Sequence, residues 1–349
     1  MDNVLLSSND RDGFKAVKDV ITSTYTIRIM GEVGDFIGMR VTHDRAARTL
    51  SLRSPGYARA LVRAHGLGSA NPAKTPMAPG ALLTRTGADL LDEGGPAYAE
   101  LLGGLLYLAT TKRLDIAFAA GVLSQFMQAP EESHWRAVKQ VLRYRDGTTD
   151  MGHCFCGGGD LEACCDADFD SDRVTRRTTT GSMFAWNGAA GSCCSPWQTM
   201  VSTSTAEAGY IATATTAKEA LWFRKLLSDL GEPLATKQIG EENNACLAMV
   251  SNPEGIGHAN LIDIAHHVVR DRVARGEVAF CHMSTTEMVA DGFTKPLPNG
   301  NLCRFPVPPG RTRPRERYTS VTGWDATLGE CWNTRWRPKF HHVSAASHG

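Results

Sequence analysis

Three short apolar runs, Leu161–Cys165, Gly181–Trp186 and Gly191–Gln198, are followed by one long helical stretch from Thr205 to Leu230. No other feature constrains the fold of this chain as strongly. Short runs bounded by polar and glycine-containing turns read as strands. The long stretch carries Tyr210, Ile211, Leu221, Trp222, Leu226 and Leu227 as its apolar positions and stops at Gly231, a residue suited to the left-handed position after a helix. Downstream, the pattern predicts a strand over Lys237–Gly240, a short helix over Ala245–Val250, a helix over Ile262–Ala274, a strand over Val278–Cys281 and a last helix around Thr286–Phe293. That order predicts an α/β (α+β) domain built on a mixed five-stranded sheet with flanking helices.

The rest of the chain divides around this domain. Its 349 residues suggest two or three domains, and 42% hydrophobic residues exclude a wholly disordered chain. Residues 1–77 read as α+β, with helical spacing over Gly13–Thr22, strands at Phe36–Val41 and Thr49–Leu52, and a helix opened by Ser54-Pro55-Gly56. Residues 78–96, rich in Pro, Gly, Ala and Thr, read as a linker. Residues 97–150 read as a helical connection, broken near Pro130, and 151–298 as the strand-rich domain. Residues 299–349, rich in Pro and Arg and without periodicity, read as a disordered tail.

Lys+Arg and Asp+Glu both total 37, so net charge makes no case for a general polyanion binder. The balance is uneven, since residues 301–349 hold eight Arg/Lys against three acids. None of the ten cysteines forms a C-x2-C pair, which argues against a zinc site and for small buried thiols. The first residues lack the basic and apolar segments of a secretory signal, and no apolar run reaches membrane-spanning length. The expectation is a chain that is intracellular and not secreted, with no membrane contact.

Several stretches carry a recognisable pattern. They are Leu102-Gly103-Gly104-Leu105-Leu106-Tyr107-Leu108-Ala109-Thr110-Thr111 with Asp115-Ile116-Ala117-Phe118-Ala119, and His134-Trp135 with Val141-Leu142-Arg143-Tyr144. Further on stand Asp166-Ala167-Asp168-Phe169, Arg176-Arg177-Thr178-Thr179-Thr180-Gly181, Ala217-Lys218-Glu219-Ala220-Leu221-Trp222 and Ala290-Asp291-Gly292-Phe293-Thr294-Lys295-Pro296-Leu297. In this order and spacing the chain resembles, from residue 1 to about 298, the C-terminal part of the Pol polyprotein of copia-type LTR retrotransposons. The resemblance implies the end of a reverse-transcriptase palm and thumb in residues 1–77, a connection, and a ribonuclease H-like domain. It also implies an RNA–DNA hybrid as partner. It places the family's active-site and metal-binding acids on Asp166, Glu207, Glu242 and Asp291. Two Mg²⁺ ions, with Mn²⁺ able to substitute, would activate a water and stabilise the leaving 3′-oxygen. Hard cations of this kind want carboxylate oxygens.

The departures from the family pattern are specific. Glu242 stands where the family has Asp, and the extra methylene moves its carboxylate by about 1.5 Å. An error near 1 Å can cost roughly a hundredfold in rate, so slow, Mn²⁺-favoured cleavage is expected. Ala206 and Gly209 interrupt a Ser-Thr-Glu-Ala-Glu-Tyr motif, here Thr205-Ala206-Glu207-Ala208-Gly209-Tyr210. Phe169 replaces a Trp, and Gly257–Leu261 replaces a basic run. Met1-Asp2-Asn3 falls on the end of a Tyr-x-Asp-Asp motif, with Asn3 in place of the second Asp, so no polymerase activity is expected. The alternative to a nuclease is an impaired or inactive remnant that binds nucleic acid weakly at most. His266, His267 and His282 could assist product release or simply be exposed or capping residues. Trp324, Trp332 and Trp336 could stack on single strands or belong to unselected tail sequence.

Overall fold

The computed structural model describes residues 3–8, 10–68, 70–81, 83–87, 89–91, 95–149, 151–156, 161–172, 175–232, 237–251, 263–298 and 339–345. Along the N-terminal part run β1 (Asn3–Ser8), α1 (Arg11–Thr24), β2 (Ile27–Glu32), β3 (Asp35–Phe36), β4 (Met39–Asp44), β5 (Thr49–Arg53) and α2 (Pro55–Ala64). Asp10 starts α1 by accepting the backbone N–H groups of Asp12 and Gly13, and Pro55 sits in the first turn of α2, where its missing N–H costs nothing.

The helical block is α3 (Gly95–Thr111), a 3₁₀ turn (Leu114–Ile116), α4 (Ala117–Ser124) and α5 (Glu132–Asp146). Leu101, Leu102, Leu105 and Leu108 of α3 are all fully buried, packed with Ile116, Leu123, Val138 and Leu142. Each such leucine contributes about 1.5–3 kcal/mol of burial. The segment expected to be a linker is tied onto this block. Leu83 packs against its core, and the carboxylate of Glu131 accepts from Thr86 N at 2.7 Å, Thr86 Oγ1 at 2.8 Å and Gly87 N at 2.9 Å.

Next come β6 (His153–Cys156), β7 (Leu161–Asp168), β8 (Thr179–Trp186), β9 (Ala189–Cys194), α6 (Thr205–Asp229), β10 (Lys237–Glu241), α7 (Asn244–Ser251), α8 (Asp263–Ala274), β11 (Val278–His282), a 3₁₀ turn (Val289–Phe293) and β12 (Lys339–Ala345). The mixed five-stranded sheet is present, in the order β11-β10-β7-β8-β9, with β7, β8 and β9 antiparallel and β10 parallel to both β7 and β11. Asn187 and Gly188, both at positive φ (51° and 81°), make the tight β8–β9 hairpin. Alternation along β7 gives the sheet two apolar faces. Ala163 and Cys165 join the core under α6 with Phe184, Tyr210, Ile239 and Val278, whereas Cys164 joins Met183, Ala290, Phe293 and Leu114 on the other side.

Three expectations need correction. The last helix is only the 3₁₀ turn Val289–Phe293. Residues 153–156, expected to belong to the nuclease domain, pair with β5 in the sheet β3-β4-β5-β6. Within the tail expected to be disordered, residues 339–345 form β12, antiparallel to β1 and β2 and lying between them. Two strand edges with unpaired backbone groups are thereby satisfied by a segment distant in sequence. The remaining tail, Gly257–Leu261 and the side chains of His266 and His267 lie outside the described residues. Among the described residues no helix is long and apolar enough to cross a membrane.

Candidate active site

The central strand β7 carries Asp166 towards its carboxyl end, opposite Gly181 on β8. The turn Val289–Phe293 lies across β8 and delivers Asp291. Gly181 allows this approach, because a Cβ there would stand 2.7 Å from both Ala290 O and Thr294 Cγ2. Asp166 and Asp291 are both buried, 5% and 7% exposed. Thr294 Oγ1 donates to Asp166 Oδ2 at 2.6 Å, and Lys295 Nζ lies 2.7 Å from Asp291 Oδ1 and 4.0 Å from Asp166 Oδ2. Burial pushes the Asp291 carboxyl up to about 6; Lys295 pulls it down and the charge of Asp166 raises it. Burial likewise raises Asp168, against the attraction of Lys295. The result is two buried carboxylates with one partly exposed ammonium between them and solvent.

At the end of β10 two consecutive glutamates differ in setting. Continuing the register Ile239↔Ala163 and Gly240↔Cys164 brings Glu241 beside Cys165 and Glu242 beside Asp166. Glu241 is 1% exposed; its Oε1 accepts from Asn243 N at 3.1 Å and its Oε2 from Cys165 Sγ at 3.3 Å. Burial pushes its carboxyl up to about 7, helped by the charges of Asp166 and Glu242. Glu242 is half-buried, and its Oε2 is buried with no hydrogen-bond partner.

Glu207 lies in the first turn of α6. Ser204 caps α6 by accepting Glu207 N–H at 3.2 Å, and the Glu207 carboxylate turns back to accept from Thr203 N at 2.6 Å and Thr203 Oγ1 at 2.5 Å. This reciprocal capping satisfies the helix end and the helix dipole. Its carboxylate is thus bonded to Thr203, while Asp166 and Asp291 meet at β7, with Glu242 and Glu241 at the adjoining strand end. His282 is exposed at the end of β11, opposite Glu241. Thr294, Lys295, Gly181 and Glu241 were not singled out as site residues from sequence, although Thr294 and Lys295 follow Asp291 by three and four positions in a quoted motif.

Among the described residues no group of three or more His, Cys, Asp or Glu side chains is already positioned to hold a metal ion. The donor chemistry nonetheless suits a hard dication. Asp166 and Asp291 offer carboxylate oxygens held close together, and the buried Glu242 Oε2 has no hydrogen-bond partner among the described residues.

The chain is 30% identical over 314 residues to the retrovirus-related Pol polyprotein from transposon TNT 1-94 of Nicotiana tabacum, covering 87% of this chain and 24% of that one. It is 31% identical over 301 residues to the corresponding polyprotein from transposon RE2 of Arabidopsis thaliana, covering 85% and 20%. It thus spans a fifth to a quarter of the length of these relatives. No family model matches. The solved structure of LC11-RNase H1, isolated from compost, aligns with 39% of this chain and 94% of its own at 13% identity and a TM-score of 0.31.

Proposed function

Because this chain belongs to the retrovirus-related Pol polyproteins of copia-type transposons, we propose that its five-stranded domain is a ribonuclease H-like nuclease that hydrolyses the RNA strand of RNA–DNA hybrids. The observation that carries this reading is the pairing of buried Asp166 and Asp291 at one edge of the sheet, with Thr294 and Lys295 bonded to them. Asp166, Asp291 and Glu242 are the residues that would hold Mg²⁺ or Mn²⁺. When bound, the cations would supply an activated water and charge stabilisation at the leaving 3′-oxygen. The chain's own contributions are distinct. Thr294 holds Asp166 in one rotamer, Lys295 offsets charge between the two aspartates, and burial excludes bulk water. Preference for RNA would come from contacts to 2′-hydroxyls across the wide minor groove of the hybrid.

The rival reading, an impaired remnant, is favoured by one observation, the commitment of Glu207 to Thr203. Purified full chain incubated with Mg²⁺ or Mn²⁺ and three labelled duplexes separates the two. The nuclease reading expects cleavage of the hybrid in preference to duplex RNA and duplex DNA, and its loss in Asp166→Asn. Equal inertness on all three with both cations would establish the remnant.

A further inference from the structure

Strand β6 is a joint between the N-terminal sheet and the five-stranded one. It pairs with β5, Cys154 opposite Ser51 and Cys156 opposite Thr49. The Cys156 N–H donates at 2.7 Å to Asn187 O, in the tight β8–β9 hairpin. Residues two apart on a strand point to the same face, so Cys154 and Cys156 stand side by side. Their sulfurs are 3.9 Å apart, and Ser51 Oγ donates to Cys154 Sγ at 3.6 Å. Both cysteines are partly exposed, whereas Cys164, Cys165 and Cys246 are buried in the cores of the five-stranded domain. A rise of about 3.3 Å per residue sets the Cα atoms of the pair about 6.6 Å apart. That is at the long end of the range a disulfide spans, roughly 4.4–6.8 Å. Joining is therefore within reach, and it shortens the strand, because it draws the Cβ atoms in to roughly 3.5–4.5 Å.

The structure assigns Cys154 and Cys156 as a reversible dithiol site, closed to an intrastrand disulfide by exchange with a small-molecule disulfide such as oxidised glutathione. The Cys154 thiolate, which the Ser51 hydroxyl faces, attacks one sulfur of the small disulfide; that S–S bond breaks and one small thiol leaves. The Cys156 sulfur then attacks Cys154 Sγ and displaces the second small thiol, which takes the Cys156 proton. Two protein thiols and one small disulfide become one protein disulfide and two small thiols, a transfer of two electrons and two protons. Burial, and next the sulfur of Cys154, raise the Cys156 thiol, so Cys156 waits protonated and serves the second, resolving step. Closure buckles β6 at the residue that bonds Asn187 O. Oxidation thus loosens the joint between the two sheets, and reduction restores it. The assignment does not rest on the nuclease reading.

The test treats the full chain with oxidised glutathione, alkylates the remaining thiols in denaturant and digests with chymotrypsin under non-reducing conditions. Cleavage after Phe155 falls between the two cysteines, so a Cys154–Cys156 bond keeps the two fragments joined until a reductant is added. The expected result is that joined pair, assigned by mass spectrometry. Hydrogen exchange at the Cys156 amide should also be roughly fivefold faster than in the reduced chain, as loss of one hydrogen bond predicts. In Cys156→Ser the second step is missing, so Cys154 should carry a glutathione adduct instead. Three results overturn the proposal: both thiols still alkylated in the oxidised parent, Cys154 joined to Cys164 or Cys165, or a glutathione adduct that persists on Cys154 of the parent as it does in Cys156→Ser. Closure with unchanged exchange at the Cys156 amide overturns its coupling to the hairpin.

Discussion

The absence of a side chain at Gly181 is what lets the turn bearing Asp291 lie against β8. A methyl group there would come within 2.7 Å of Ala290 O and of Thr294 Cγ2, neither of which is the free end of a long side chain. Gly181→Ala is expected to cost about 1–3 kcal/mol of stability, the range for overpacking. Because it would shift Asp291 by a sizeable fraction of an ångström, hybrid cleavage should fall far more than stability, by up to about a hundredfold; chemical denaturation and cleavage rates on the same variant check both. Lys295 permits a second test. Asp291 titrates near 6 despite the ammonium 2.7 Å away, so Lys295→Met should move its midpoint higher, read by carboxyl-carbon NMR. The sign for stability follows: the folded value lies above the ordinary aspartate value of 3.8, so the contribution is complete below that pH and is lost as pH rises through about 6. Single residues also show where sequence reading reached its limit. Asp166 and Asp291 were legible because each sits in a quoted motif. Glu241 and Glu242 are adjacent and chemically identical, and only the strand register separates them, since neighbouring residues on a strand face opposite sides. That the Glu207 carboxylate sits on Thr203 is a matter of side-chain rotamer, which no pattern encodes.

Among the elements, the helical block is held by a buried ion network as well as by its leucines. Arg113 grips Asp115 with two hydrogen bonds, Nε to Oδ1 at 2.8 Å and Nη2 to Oδ2 at 2.6 Å, and Tyr144 donates to Oδ2 at 2.8 Å. Arg113 reaches on to Thr148, and Arg145 to the carbonyls of Ser54 and Thr148, so the network joins the 3₁₀ turn after α3, α5 and the entry to α2. Burial opposes ionisation of Asp115, but Arg113 and Tyr144 hold its carboxyl below the usual range. Asp115→Asn leaves two buried guanidinium groups short of charge and is expected to destabilise the chain by about 3–5 kcal/mol in urea denaturation at neutral pH. A depressed folded value means stability that is present above the unfolded aspartate value and lost as pH falls through the folded one. The parent should therefore lose part of its stability on acidification, and the Asn variant should lose less over the same range; the opposite pH slope would show that Asp115 is not ionised in the folded chain. The long helix α6 and strands β7, β8, β10 and β11 were legible because each is long, periodic or apolar. The strands β1, β2 and β6 were not, since Asn3–Ser8, Ile27–Glu32 and His153–Cys156 are short, mixed in polarity and acquire their conformation from partners.

Across the whole molecule, the strand order β11-β10-β7-β8-β9 gathers the ends of β7 and β10 at one edge, and the turn at Val289–Phe293 closes that edge from the opposite face to α6. Leu114, from the helical block, lies in the same core as Ala290 and Phe293, so the block buttresses the turn that carries Asp291. Such long-range pairings explain why β12 escaped the sequence: Lys339–Ala345 has no periodicity of its own and is a strand only because it pairs with β1 and β2. The proposed reaction is in-line hydrolysis directed by the buried acids at the β7 edge, with departure of a 3′-oxygen. It is tested most directly by end-group analysis of a labelled RNA strand annealed to DNA, cut by the purified chain with Mn²⁺ or Mg²⁺. The expected result is fragments ending in 3′-hydroxyl and 5′-phosphate groups, absent with Asp166→Asn. Cleavage that persists in Asp166→Asn, fragments ending in cyclic phosphates, or no cleavage with either cation would contradict it.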